Sequence, residues 1–409
     1  MHGSINVRDV ADIAVSRHEE QLDTGTTPHT KASELLFFCP DVTDASTLKR
    51  VQQFIDLGYR VTVFGFRRFR YNTDYRPPWP NVALGVTSDA RYWHRIRALI
   101  RAIPAVFAHR RSLARAGAFY ARNIDQLLLT LLGRVIAGSD APVAYEVLDI
   151  PPILTQRRSV AVLLRLVERL CLRRVDLLVV SSPAFHRHYF AAVQKYRGPW
   201  LLLENKLHPS IDGSPAPLQA AAANGRPWVV GYFGQIRGEA TVALIARLAE
   251  RLKGRVLFRF RGIFTTVEQA QFDDMLKRHS NVVYGGPYLP QRDLAALYSE
   301  VDFAWALDLE HVDHNSRWLM PCRFYEAGYF GVPCLAVRGF EVGKTIESHR
   351  IGWTFGEPLE DSLVHFFERL TVEDYDRVRE RLRGVPRDMF VAGDDVTRLS
   401  RMLDGGPHL

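Results

Sequence analysis

Trp228-Val-Val-Gly-Tyr-Phe-Gly-Gln-Ile-Arg-Gly238 reads as a buried strand over Trp228–Phe233, a turn over Gly234–Gly238 and the entry to a helix over Ala240–Leu252. Glycines in such a turn let the backbone approach a ligand. Free amides at the following helix end favour phosphate, and Arg237 can grip an anion with two parallel hydrogen bonds. The spacing is not G-x-G-x-x-G, so this is not the dinucleotide fingerprint, and a plain tight turn is the simpler alternative. Downstream, strands are expected at Val256–Arg261, Val282–Tyr284, Phe303–Ala306 and Pro333–Val337, with helices at Val267–His279, Gln291–Ser299 and Arg323–Phe330. Upstream, Glu34–Pro40, the helical period of Ser46–Leu57 and the strand Tyr59–Gly65 form a βαβ unit, which implies a parallel sheet. Val143–Leu148, a Leu/Arg helix over Val160–Arg174, Asp176–Ser182 and Trp200–Asn205 extend it. Residues 208–227, rich in Pro, Gly, Ser and Ala, read as a linker. The expected architecture is α/β, with two doubly wound, Rossmann-like domains facing across a cleft. The expected boundaries are a flexible tail at 1–33, a first domain at 34–207, the linker, a second domain at 228–385, and a C-terminal helix or tail at 386–409.

The composition suits an ordinary soluble protein: 409 residues, 47% hydrophobic and 24% charged, with a net charge of +8. It excludes disordered, collagen-like and disulfide-scaffold chains. The apolar runs Leu127–Leu132 and Val160–Leu164 fall far short of the ~20 residues a membrane span needs. The polar start of the chain lacks the apolar segment of a signal peptide, so a cytoplasmic protein is expected. Cys39, Cys171, Cys322 and Cys334 show no metal-binding spacing and read as reduced thiols.

Between Arg60 and Arg122, thirteen arginines stand against two acids, Asp74 and Asp89, so an anionic partner is expected at the first half. The stretch Arg91–Arg115 is basic, aromatic and amphipathic, although Pro104 interrupts its period. Arg91, Trp93, Arg97, Arg101, Arg110 and Arg111 suit an anionic membrane surface, into which Trp93 and Ile100 could dip. The alternative is an arginine-solvated helix pair packed on the domain. Nucleic acid fits less well, because no recognised binding module accompanies the charge.

Three segments carry candidate chemistry. In Arg323-Phe-Tyr-Glu-Ala-Gly-Tyr-Phe-Gly-Val-Pro333, Glu326 stands among apolar neighbours, where a carboxylate needs hydroxyl or amide partners. Asp308-Leu-Glu-His-Val-Asp-His314 offers metal-ligand side chains, but the spacing fits no standard zinc pattern, and no metal is expected. Asp149 follows the strand Val143–Leu148, at the end where α/β sheets place their chemistry, and is the candidate general base. Glu146 falls on the other face of that strand. The alternative for Asp149 is a turn cap or a pair with Arg122.

Taken in order, several pieces resemble bacterial GT-B glycosyltransferases of the group 1 superfamily, in particular those of succinoglycan and exopolysaccharide biosynthesis. They are Tyr120–Asn123, Tyr145–Ile150, Val180–Pro183, Glu204–Lys206, Gly231–Gly238, Phe258–Gly262, Val282–Gly286, Leu294–Asp302 and Arg323–Pro333. The resemblance implies a hexosyltransferase that uses a nucleotide-diphosphate sugar, UDP- or GDP-linked, and no further cofactor. It implies that Arg237 contacts the diphosphate and Glu326 the ribose, with Gly234, Gly262, Gly286, Tyr288, Asn315, Ser316 and Arg323 around the donor. Asp44 and Asn123 would lie on the acceptor side, and the 308–314 loop would line the sugar pocket. The family pattern has two glutamates eight positions apart; the earlier slot here is Trp318. The implied acceptor is a lipid-linked oligosaccharide at the inner face of the cytoplasmic membrane, where the protein would bind peripherally. A nucleotide-sugar epimerase and a non-catalytic nucleotide or sugar sensor on the same scaffold are the alternatives.

Overall fold

The computed structural model describes residues 33–68, 75–87, 92–211 and 226–405. Residues 1–32 of the expected tail, 212–225 of the linker, Arg91, the side chain of Trp93 and residues 406–409 lie outside the described residues. The described strands build two parallel sheets. The first runs β3-β2-β1-β4-β5-β6-β7, where β1 is Glu34–Cys39, β2 Arg60–Arg67, β3 Asn81–Val86, β4 Ala118–Arg122, β5 Val143–Val147, β6 Leu177–Val180 and β7 Trp200–Leu202. The second runs β10-β9-β8-β11-β12-β13, with β8 Trp228–Ile236, β9 Val256–Phe264, β10 Val282–Tyr284, β11 Phe303–Trp305, β12 Cys334–Val337 and β13 Gly352–Phe355. Both orders grow outward from an early strand in two directions, so the doubly wound α/β class is as expected. By compactness the chain divides into two units, one of residues up to Ala121 with Asp125–Pro142, the other of Arg122–Ile124 with everything from Val143.

In the first unit β1 is buried from Leu35 to Cys39 because both sheet faces are covered. Phe37 stacks on Tyr120 at 5.1 Å, and Phe54 from the Ala45–Asp56 helix meets both rings edge-on. Asp44 caps that helix, its carboxylate accepting from the Thr47 amide at 3.2 Å. The Tyr92–Ala108 helix does not break at Pro104, as the period suggested it should. Ala102 and Val106 are buried on either side of the proline and pin both turns. β3 was not anticipated: it is an edge strand, mostly exposed and interrupted by Gly85, and so carries little apolar pattern.

In the second unit Phe303 sits among Trp228, Trp353, Phe366, Phe367 and Tyr375. Asp302 fixes the start of β8, accepting from the Val229 amide at 2.8 Å and from Arg226 through both oxygens at 2.8 and 2.9 Å. β8 runs three residues further than expected, to Ile236. Gly234 (φ 112°) faces Gly262 (φ 142°) across the ladder, and a Cβ at Gly262 would stand 1.7 Å from the Gly234 carbonyl oxygen. The glycine pair lets the two strands continue where the anticipated turn would have begun.

Arg122 and Glu146 form a buried ion pair at 2.6 Å, with side chains 3% and 0% exposed. Arg122 is thus matched to Glu146. Glu146→Ala leaves the guanidinium buried with its matched carboxylate gone, and should cost about 3–5 kcal/mol. A guanidinium-chloride unfolding curve whose midpoint matches that of the native protein would contradict this.

Candidate active site

The second unit assembles its polar centre around Arg237, the residue after β8. Its guanidinium donates through Nη2 to the Asp308 carboxylate and lies with Nε 3.4 Å from Glu310. Asp308 follows β11 and is buried; its Oδ1 also accepts from the Ser316 hydroxyl at 2.8 Å and the Glu310 amide at 3.1 Å. Burial pushes the Asp308 pKa up, but Arg237 and the Ser316 hydrogen bond outweigh it and hold the group below the usual carboxylate value. Glu310 accepts from the Thr266 hydroxyl at 2.7 Å, and Thr266 in turn accepts from the Gly238 amide at 3.1 Å. Gly238 has φ 76°, and a Cβ there would meet the Glu310 backbone at 3.3 Å. Only glycine lets the start of the Glu239–Arg251 helix lie so close to this loop.

Asp149 stands just past β5, with its side chain reaching solvent. Its Oδ1 accepts from Asn315 Nδ2 at 3.0 Å, while Asn315 Oδ1 accepts from the Ile150 amide at 2.9 Å. One amide therefore fixes both the carboxylate and the main chain that follows it. The surrounding protein raises the Asp149 pKa; Arg237 and Asn315 pull it down, and Asp308 and Glu310 push it up. The net direction is upward, which suits a base that must take up a proton. A cavity of about 280 Å³ opens between Ile150–Gln156 and Glu310–Asn315. A second depression, of about 350 Å³ at Trp353, Arg369 and Arg377, contains none of these groups.

Other sequence-derived candidates take their places nearby. Glu326, on the Cys322–Tyr329 helix, accepts from the Tyr298 hydroxyl at 2.9 Å, the type of partner its apolar setting demanded. Burial and then the Glu326 charge drive the Tyr298 and Tyr288 hydroxyls well above their usual pKa. Arg323 lies over the Tyr232 ring at 4.3 Å and donates to the Trp305 carbonyl at 3.0 Å. Gly286 (φ 80°) presents its carbonyl to the Gly262 amide at 3.0 Å and to Arg261 Nε at 3.0 Å. A Cβ on Gly234 would come 4.0 Å from the Tyr288 hydroxyl, which places Tyr288 at the end of β8. Asn123 begins the Asn123–Ala137 helix in the left-handed region, at φ 70°. Trp318 packs between His188, at 5.8 Å and 14°, and His314, at 5.6 Å and 52°. The described residues contain no group of three or more His, Cys, Asp or Glu disposed to hold a metal.

Sequence reasoning named Arg237 and Asp149 but missed Asp308 and Glu310 as the side chains that hold Arg237, and Thr266 as the hydroxyl that fixes Glu310. The signal available for the first two was a pair of acids two positions apart immediately after a buried strand.

The chain is 31% identical to the succinoglycan biosynthesis protein ExoL of Rhizobium meliloti (strain 1021) over 375 residues, covering 90% of this chain and 93% of that protein. The chain belongs to the ExoL family. No protein-family model matches the sequence. Among solved structures, Anabaena HepE in complex with UDP and glucose is similar with a TM-score of 0.67 at 14% identity, over 91% of this chain and all of that one. Sucrose-phosphate synthase from Thermosynechococcus elongatus is similar with a TM-score of 0.68 at 13% identity, over 90% and 98%. The expected resemblance to exopolysaccharide glycosyltransferases of the GT-B fold is thereby borne out for this ExoL relative.

Because the Asp308 pKa is depressed in the folded protein, its contribution to stability is complete above the unfolded value near 4 and disappears as pH falls through the folded value. Asp308→Asn should therefore lose about 1.5–3 kcal/mol at neutral pH. The gap to the native protein should close in acid. Denaturation curves at a series of pH values would test this, and a gap that stayed constant down to the acid end would rule out the charge interaction as its source.

Proposed function

We propose that this ExoL relative transfers a hexose from a nucleotide-diphosphate sugar to a lipid-linked oligosaccharide, with residues 228–385 holding the donor and 34–207 the acceptor. One observation carries the reading: a single arginine, at the end of β8, is surrounded by the carboxylates Asp308, Glu310 and Asp149. An arginine so placed gives a diphosphate a bidentate partner, and a carboxylate of raised pKa beside it can accept a proton. UDP in the HepE complex favours a UDP-linked donor over a GDP-linked one. Glu326 and Tyr288 serve the nucleoside side, and Asn315 orients the base.

In the proposed reaction Asp149 takes the proton of the acceptor hydroxyl as that oxygen attacks the anomeric carbon. The bond to the diphosphate breaks and its electrons leave with the phosphate, stabilised by Arg237. Attack from the face opposite the diphosphate inverts the anomeric centre. Among the described residues no helix is long and apolar enough to cross a membrane. Peripheral attachment at the inner face of the cytoplasmic membrane is supported by the Tyr92–Ala108 helix and its continuation. Ile96, Ile100, Ile103 and Phe107 are exposed along one stripe, beside exposed Arg97, Arg101, Arg110 and Arg111.

With labelled UDP-hexose and a membrane extract, label should enter the lipid fraction, and without the extract it should stay on the nucleotide. An epimeric sugar nucleotide formed without extract would overturn the transferase reading, and absence of any turnover would leave only a sensor.

The base assignment makes its own demand. The ionised form of Asp149 fills as pH rises through its elevated pKa, so the acid limb of kcat/KM should lie above the ordinary aspartate range. Asp149→Asn should keep the melting temperature and UDP affinity while transfer falls by ~10²–10⁴-fold. A variant that transfers at the native rate excludes Asp149 as the base.

A further inference from the structure

The Ser159–Leu172 helix, in the second unit, has two unlike faces. Its inner face buries Ala161, Cys171, Leu172 and Glu168, the helix's one acid. Glu168 is occupied there, accepting from Tyr145 at 2.9 Å, from Gln194 Nε2 at 2.6 Å and from the Tyr189 hydroxyl. Arg165 and Arg169 are turned along the protein, donating to the carbonyls of Leu154 and Gln156 and of Val193 and Gln194.

The outer face is aliphatic. Val162, Leu163, Leu166 and Leu170 are 55%, 60%, 48% and 51% exposed. At about 100° per residue these four fall within an arc of about 100°. Arg157 and Arg158 precede the helix and Arg173 and Arg174 follow it, all exposed. No carboxylate of the helix reaches the outer face. Asp176, just beyond, accepts from the Val143 amide at 2.8 Å.

We propose that this face lies on an anionic lipid surface, as a contact separate from the Tyr92–Arg115 segment and independent of which sugar the protein transfers. An apolar stripe with cationic ends matches a leaflet whose acyl boundary takes the leucines and whose phosphates take the guanidiniums. A second copy of the chain is the poorer occupant. It would bury the leucines but set the same arginine-rich ends near one another with no acid on either face to offset them.

The test places a nitrobenzoxadiazole probe at Val162→Cys or, separately, at Phe107→Cys, both in a Cys322→Ser background because Cys322 is the exposed native thiol among the described residues. Vesicles of phosphatidylcholine with phosphatidylglycerol should brighten and blue-shift the Val162 probe, and added salt should weaken the response. Leu163→Gln with Leu166→Gln should lower vesicle affinity by about tenfold or more. Arg157→Gln with Arg158→Gln and Arg173→Gln should erase the preference over pure phosphatidylcholine. A silent Val162 probe overturns the proposal whatever the Phe107 probe does, and a silent Phe107 probe with a responding Val162 probe removes only the other attachment. Light scattering that shows a lipid-free dimer, dissociated by the leucine substitutions, would assign the face to self-association instead.

Discussion

The constraint on which the rest of the second unit turns is the surplus of negative charge around Arg237. Arg237 faces Asp308, Glu310 and Asp149 together, with Arg323 adding to the field only at Asp308 among the causes that set these groups' ionisation, so the carboxylates are neutralised unequally. Asp308, buried and also bonded to Ser316, takes the largest share and ionises easily. Asp149 also feels Arg237, but desolvation by the surrounding protein outweighs that attraction and leaves it reluctant to ionise. Two carboxylates beside the same arginine thus differ in how readily they ionise, a difference set by environment and not by chemical type.

Holding that division requires the loops to stay in register. Asn315 ties the main chain after β5 to the loop after β11 with two hydrogen bonds. Ser182, beyond β6, donates to the Trp318 carbonyl, and Arg187 reaches Glu341 with contacts of 2.8 and 2.9 Å. Glu204, in the Glu-Asn-Lys motif, accepts from Tyr325 at 2.9 Å and lies 3.2 Å from Lys206. The motifs Tyr145–Ile150, Val180–Pro183 and Glu204–Lys206, separate in the sequence, are therefore successive anchor points of one unit.

What could be read in advance follows from how each signal is encoded. Strands buried on both faces, such as Leu35–Cys39 and Leu177–Val180, are continuous apolar runs, so both sheets were visible in the sequence. β3 and β13 each carry a glycine and a single buried residue, and an edge position leaves no local mark. Arg237 and Asp149 could be named because each adjoins a recognisable strand. Asp308 lies 71 positions from Arg237 in the chain and Asn315 lies 166 from Asp149, and no periodicity connects them. The Ser159–Leu172 segment was legible as a helix, but its orientation was not. Its buried face contains a glutamate while Leu163, Leu166 and Leu170 face outward, the reverse of the usual pattern.

The Gly234–Gly262 pair also bears on how this scaffold can drift. The atom that excludes a side chain at position 262 is a main-chain oxygen, which no substitution elsewhere can trim away. The two positions sit on adjacent strands and are closed together, so variation along β8 and β9 is barred next to the arginine. It is less restricted in the 308–318 loop, where pairs such as Asp308 with Ser316 and Glu310 with Thr266 meet through side chains and can be exchanged in concert. Change in the side chains around the arginine is channelled by that oxygen into one loop, and Trp318 lies within it.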